Sequence, residues 1–307
     1  MQSVLTLIRG AEPATNTETN IGTILSDTIV SDVRAALNGL GAETAAPDWL
    51  APGAACDLAF DNISEDQADA ASRHVLGDVR IDVVAQPIEG RRKKLLLADM
   101  DSTIVTGETL DDLAAYAGLK DQISAITARA MNGELDFEDA LRERVGMLKG
   151  LAESTLEDAW GQVELTPGAA AMVATMAASG AHCVLISGGF KFFTARVRDL
   201  CGFHEDLSNN FVIEDGKLTG VVTEPILNKD VKQKTLIARA AELGLALSDT
   251  LAVGDGANDL PMLQVAGLGI AFRGKPSVRV AAPARLDHAD LTGLLYAQGF
   301  RADSFVH

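Results

Sequence analysis

After residue 94 the apolar positions fall into short continuous runs: Leu95–Ala98, His182–Ile186, Leu251–Val253 and Leu268–Phe272. Runs this short, apolar at nearly every position, predict strands buried on both faces, as in a parallel sheet. Between them the apolar period is helical. Pro167 to Ser179 carries proline near its start and Gly180 just past its end, the usual helix asymmetry. Lys232 to Leu243 is helical and closes on Gly244. Strands alternating with helices predict an α/β unit with a doubly wound parallel sheet. Two stretches depart from that pattern. Phe211 to Val222 places two strand-like pieces around Asp215-Gly216, a hairpin signal. From Glu108 to Leu165 four amphipathic helices are predicted: Leu110–Ala117, Ile123–Met131, Phe137–Leu148 and Thr155–Trp160. Connections in such folds normally take a few residues. An insertion of this size directly after a strand reads as a lid, with a packed helical embellishment as the plainer alternative.

Residues 1–90 follow another rhythm. Val4–Ile8, Cys56–Phe60 and Val79–Val84 read as strands. Thr23–Leu40 and Ser64–Leu76 read as helices, the second with Ser64 as N-cap. This predicts a small α+β domain without a catalytic cluster. Pro87–Lys94 is the expected linker, its Arg91-Arg92-Lys93-Lys94 run solvated.

Composition narrows the classes. With 47% hydrophobic and 22% charged residues over 307 positions, the chain reads as globular and large enough for more than one domain. No apolar run approaches the ~18 residues of a membrane span, and the N-terminus lacks a secretory layout. A cytoplasmic protein with no membrane partner is expected. Cys56, Cys183 and Cys201 are too few and too scattered for a disulfide framework or a zinc site. A net charge of −17 argues against nucleic acid. It also repels phosphate at long range, so a phosphate site here must supply positive charge locally.

Chemistry-bearing residues gather at the predicted strand ends. Leu95–Ala98 runs into Asp99-Met100-Asp101-Ser102-Thr103. Side chains two apart on a strand share a face, and the carboxyl edge of an open parallel sheet is where ligands bind. Two carboxylates there can hold a hard cation and leave an oxygen to attack; a turn is the bland alternative. His182–Ile186 ends in Ser187-Gly188-Gly189-Phe190, whose hydroxyl and backbone N–H groups suit an anion, or a tight turn. Lys229, Lys232 and Lys234 lie near a helix start, where a lysine opposes the macrodipole; position alone does not choose among them. Leu251–Val253 ends in Gly254-Asp255-Gly256-Ala257-Asn258-Asp259, again acid and glycine, with Asp259 also a plausible helix cap.

Taken together, these motifs resemble those of the haloacid dehalogenase superfamily of phosphohydrolases. Asp99-Met100-Asp101-Ser102-Thr103 matches the first motif, Ser187 the second, Lys232 the third and Gly254–Asp259 the fourth. Glu108, the stretch Ala130–Glu138, Leu141–Val145 and the Asp215–Gly220 hairpin are similar to the members acting on O-phospho-L-serine. The resemblance spans about Lys93 to Asp290. It implies a Rossmann-like core over residues 91–307, with a helical cap at about 108–165, and Mg²⁺-dependent hydrolysis of phosphoserine as the last step of serine biosynthesis. It implies Asp99 as nucleophile and Asp101 as acid and base. Asp99, the Asp101 carbonyl and Asp255 would bind metal, with Asp259 behind them orienting Lys232 or a metal-bound water. Ser187, Gly188, Lys232 and Asn258 would hold phosphate. Glu108 would take the substrate ammonium and Arg144 its carboxylate, under Met131 and Phe137. The N-terminal domain would be ACT-like and regulatory, or serve assembly; a homodimer is compatible with either. Two other functions remain open on the sequence. One is a phosphatase or phosphotransferase for another small phosphomonoester. The other is a phospho-accepting signalling module.

Overall fold

The computed structural model describes residues 2–11, 24–131 and 135–307. The expected helix start at Thr23 and the cap residues Asn132, Gly133 and Glu134 lie outside them.

The first part of the chain runs β1 (Ser3–Arg9), α1 (Asp27–Gly39), β2 (Glu43–Thr44), β3 (Asp48–Ala51), β4 (Ala55–Asp61), α2 (Glu65–Leu76) and β5 (Ile81–Pro87). Its strands form an antiparallel sheet in the order β2-β4-β1-β5, with β3 also along β4. Strand alternation divides the apolar residues between two faces. Leu5, Leu7, Leu58 and Val83 pack with Val30, Val33 and Leu37 of α1. Ile8, Ala55 and Val84 join a core that contains Leu286 and Leu294 from the far end of the chain. Ser64 caps α2 in a reciprocal capping box with Gln67. The short β2 and β3 carry too few residues to show an alternation, which is why the sequence did not announce them.

The run expected to be a solvated linker is exposed at Arg92 and Lys94 but tied down at Arg91 and Lys93. Arg91 pairs with Asp57 at 2.6 Å, and Arg92 stacks over Phe300 with 4.4 Å to the ring centre. Lys93 is only 8% exposed and donates to the Gly90 and Ser248 carbonyls. Lys94 lies 3.2 Å from Asp249. In a strongly acidic chain, adjacent cations find carboxylates and carbonyls on both flanking surfaces.

The second sheet is parallel and six-stranded. Its strands are β6 (Leu95–Ala98), β7 (His182–Phe190), β8 (Glu205–Asn209), β11 (Thr250–Gly254), β12 (Leu268–Phe272) and β13 (Ala284–Leu286), in the order β13-β12-β11-β6-β7-β8. The chain builds outward from β6 to β8, then returns to build β11 to β13 on the other side. The topological switch therefore lies between β6 and β11, the place where such sheets bind ligands. The polar edge strand β8 and the three-residue β13 were not expected. Between β6 and β7 come the inserted helices α3 (Thr109–Tyr116), α4 (Lys120–Met131), α5 (Phe137–Met147) and α6 (Ser154–Trp160), then α7 (Ala169–Ala178). Between β8 and β11 lie α8's successors: the hairpin β9 (Phe211–Glu214) and β10 (Lys217–Val222), then α9 (Lys229–Glu242), with α8 (Lys191–Cys201) preceding β8. Asp215 and Gly216 both adopt positive φ, 48° and 70°, as a two-residue primed turn requires. The remaining helices are α10 (Leu260–Val265), α11 (Pro276–Ala281) and α12 (Gly293–Ala297). Among the described residues no helix is long and apolar enough to cross a membrane.

Candidate active site

Strand β6 ends at Ala98, and the chain then makes one wide turn over Met100–Ile104, with Ser102 at φ 55°. The turn separates the two aspartates that strand alternation alone would keep side by side. Asp99 stays at the end of β6 and accepts from the Met100 N–H at 2.8 Å. Asp101 faces a different set of groups.

Around Asp99 the site is acidic and buried. Oxygens of Asp99, Asp255 and Asp259 all lie within 4.8 Å of one another. Lys232 Nζ sits between two of them, 2.8 Å from Asp99 Oδ1 and 2.6 Å from Asp259 Oδ1. Asp259 Oδ2 accepts from the Gly256 N–H at 2.9 Å, so this carboxylate both anchors the lysine and holds the glycine loop. A Cβ at Gly254 would fall on the Asp259 carboxyl group, so only glycine fits there. Helix α9 starts at Lys229, so Lys232 lies at the end of its first turn; it is buried, while Lys234 is exposed. Burial works against its charge, but Asp259 and Asp99 outweigh that and push its pKa up. Burial, then the Asp259 charge, hold Asp99 well above the ordinary carboxylate range despite Lys232. The same two causes push Asp255 up to about 6. Three buried carboxylates thus face one buried ammonium. That deficit of positive charge, with oxygen-only donors, fits a hard divalent cation.

Around Asp101 the donors are hydroxyl and amide. Its Oδ1 accepts from Thr109 N and Thr109 Oγ1, both at 2.8 Å, and its Oδ2 accepts from Ser187 Oγ at 3.0 Å. Ser187 Oγ in turn accepts from the Gly189 N–H at 2.8 Å. Ser187 is therefore turned to Asp101 here. Glu108 Oε1 accepts from Ser102 Oγ at 2.9 Å. Burial, then the Asp101 charge, push Glu108 up to about 7.

The cap contributes α5. A methyl group added at Gly188 would lie 3.2 Å from Phe137 Cζ, so this ring rests over the glycine turn. Arg144 is half-buried and, among the described residues, has no ion pair. Its only hydrogen bonds there are long, 3.4 Å to the Ala140 carbonyl and 3.5 Å to Thr127 Oγ1. Burial pulls its pKa down, against the charges of Asp111, Glu108 and Asp101. A guanidinium held this way can take an anionic ligand. Asn258 folds its side-chain oxygen against Gly256. Met131 ends α4, and its side chain lies outside the described residues.

Two residues were not singled out in the sequence. Thr109 grips Asp101 from the first position of α3. Asn209, 2% exposed, donates to the Gly188 carbonyl at 2.8 Å and accepts from the Leu227 N–H at 2.7 Å. Each is one polar residue among many, and neither lies in a motif, so only the fold reveals its partners.

With this geometry in view, comparisons with known proteins are informative. The family model for haloacid dehalogenase-like hydrolases matches residues 96–264, more than half of the chain. A phosphoserine phosphatase of Streptomyces coelicolor is 42% identical over 72% of this chain and 54% of its own length. The chain spans about half the length of that relative and of other curated relatives it matches. Among solved structures, a HAD family hydrolase from Salmonella enterica serovar Typhi has a TM-score of 0.81 at 30% identity, covering 96% of this chain and 98% of that one. A probable phosphoserine phosphatase from Vibrio cholerae has a TM-score of 0.77 at 28% identity, covering 99% of this chain and 88% of that one. On the family match and on the acid, lysine and serine motifs that carry it, this chain belongs to the haloacid dehalogenase-like hydrolases.

Proposed function

We propose that the protein hydrolyses O-phospho-L-serine to L-serine and phosphate, the closing step of serine formation. The observation that carries this reading is the division of the two aspartates. Asp99 lies in the lysine-bearing acid cluster, and Asp101 lies among hydroxyls facing the cap. Asp99 attacks phosphorus and becomes an aspartyl-phosphate, splitting the hydrolysis in two. Asp101 gives a proton to the departing serine oxygen and takes one from the water that cleaves the acyl phosphate. Inorganic phosphate then leaves and Asp99 is regenerated. Lys232 and the N–H groups of the Ser187–Gly189 turn hold phosphoryl oxygens as charge shifts. Ser187 leaves Asp101 for the phosphate when substrate arrives, which frees Oδ2 for the proton. Asn258 lines the phosphate side.

Mg²⁺ is the cofactor we assign: Asp99, Asp255 and the Asp101 carbonyl would hold it, with Asp259 steadying Lys232, and it would supply the positive charge that the acid cluster lacks. Glu108 binds the substrate ammonium and Arg144 its carboxylate, while Phe137 and Met131 exclude water. The half-buried Arg144, with acids around it but no ion pair among the described residues, supports an anionic group on the substrate besides phosphate. The names of relatives such as the Streptomyces coelicolor enzyme support phosphoserine as that substrate.

The same reading divides the chain into an N-terminal α+β unit of residues 1–90 and a phosphatase unit of residues 91–307, capped at about 108–165. The separate packing of Leu5, Leu7 and Leu58 against α1 supports that division. It also makes the protein a cytoplasmic enzyme with three reduced, buried thiols. The test is phosphate release with and without a chelator across phosphoserine, phosphothreonine, phosphohomoserine and sugar phosphates. Chelator-sensitive release fastest from phosphoserine is expected. Faster turnover of a sugar phosphate would replace the substrate, and a stable phosphoprotein without turnover would replace the activity.

A further inference from the structure

Among the described residues, the segment between β10 and α9 makes polar contact with the cap through two of its residues, Asn228 and Glu224. Asn228 Nδ2 donates to Glu138 Oε1 on α5 at 2.9 Å. Arg142, also on α5, donates to Glu224 Oε1 at 2.9 Å. The second contact is exposed and shared with Asp139 and Glu138, so it holds little. The first is different, because each partner adjoins a working part of the site. Asn228 caps α9 through its Oδ1, which accepts from the Asp230 N–H at 3.1 Å, and the first turn of α9 carries Lys232. Glu138 follows Phe137, whose ring covers Gly188, on the helix that carries Arg144.

The contacts close a ring. Phe137 rests on Gly188, and the Gly188 carbonyl accepts from Asn209. Asn209 accepts from the Leu227 N–H; Leu227 adjoins Asn228, and Asn228 returns to Glu138 beside Phe137. All of these links except Asn228–Glu138 lie within the core or are a van der Waals contact. The Asn228–Glu138 hydrogen bond is therefore the one polar link in the ring that ties cap to core. We propose that Asn228 and Glu138 are positioning residues. Their hydrogen bond latches the helix that reads the amino acid to the helix that grips the phosphate, and so holds the cap closed over bound substrate. The latch rests on the phosphoserine reading for its kinetic effect, but not for its structural one.

The test exploits the chemistry of the cap. Aspartate serves as an N-cap as well as asparagine does. Asn228→Asp therefore keeps α9 capped, yet removes the donor and sets a carboxylate against Glu138. Adding Glu138→Gln restores one hydrogen bond with donor and acceptor exchanged. Asn228→Asp is expected to raise KM for phosphoserine about tenfold, with kcat changed less than about twofold. Amide exchange in α5 should quicken in the same variant without substrate. Both effects should return towards wild type in Asn228→Asp/Glu138→Gln. Unchanged KM and unchanged α5 exchange in the single variant would overturn the latch. So would failure of the double variant to restore them, since that would mark Asn228 as important for reasons other than Glu138. If the wild type proves inactive on phosphoserine, the substrate reading falls, and α5 exchange alone still decides the latch.

Discussion

Asp82 and Asp99 are both buried aspartates, one within a strand and the other just past the end of one, and they are treated in opposite ways. Asp82, on β5, is fully buried and accepts from three backbone N–H groups, those of Asp287 (2.7 Å), His288 (3.0 Å) and Ala289 (2.7 Å). It joins the antiparallel sheet to the loop after β13. Asp99 shares its one cation with Asp259 and lies against Asp255 as well. An acid that holds a fold is given donors until its charge is satisfied. On the proposed function, Asp99 is left among like charges so that a cation and a phosphate complete it.

The sharpest way to break this comparison is to neutralise each acid. Asp99→Asn should lower turnover on the order of 10⁴-fold or more, measured as phosphate release. The fold should not suffer. Because the folded pKa of Asp99 is raised, its ionisation costs stability as pH rises above the ordinary carboxylate range. Asparagine removes that cost, so the metal-free variant should be the more stable of the two at neutral pH in denaturant unfolding. A loss of stability would mean that Asp99 is a structural acid after all.

Arg144→Ala comes next. It should lower kcat/KM for phosphoserine about 100-fold and for p-nitrophenyl phosphate only slightly, because the second substrate has no carboxylate. Equal losses would remove Arg144 from substrate recognition. Asp82→Ala should show the converse of Asp99→Asn: a loss of about 3 kcal/mol in unfolding, from three N–H groups left without their acceptor, with kcat of the folded protein retained. The smallest expected effect is on pH. Glu108 titrates at about 7 in the free protein, so it is increasingly neutral below that and cannot pair with an ammonium. Between ~pH 7.5 and ~pH 6, kcat/KM for phosphoserine should fall about fivefold more than for p-nitrophenyl phosphate. Glu108→Gln should abolish the difference; if it persists, another group is responsible.

The same contrast explains what the sequence made legible. Asp99, Ser187 and Asp255 follow apolar strands directly, and the parallel topology then carries them to one edge; short apolar runs were enough to find it. Lys232 needed the family motif, since three lysines near one helix start look alike until burial separates them. Asp82 was invisible for the reverse reason. It sits in an alternating strand, where a polar residue reads as solvent-facing, and its partners lie more than 200 residues away in the chain. Thr109 and Asn209 escaped because each is a single polar residue outside any motif, whose two hydrogen bonds depend on how the turn after β6 and the segment after β8 are folded. The anchoring of Arg91 and Lys93 escaped because four adjacent cations resemble a solvated linker unless the surfaces on either side are known. The cap helices were found by their period, while the link from Glu138 to Asn228 depends on how α5 is laid across the core.

The placement of the antiparallel sheet has a consequence for self-association. An unpaired sheet edge beside an apolar face is a template for another chain. Asp82 ties β5 to the backbone just past β13, and Ile8 and Val84 cover apolar residues of the catalytic half, including Leu286 and Leu294. The N-terminal sheet thus shields one flank of the parallel-sheet unit. A catalytic half cut free at residue 91 would expose that flank, and its first failure would be stickiness rather than loss of chemistry.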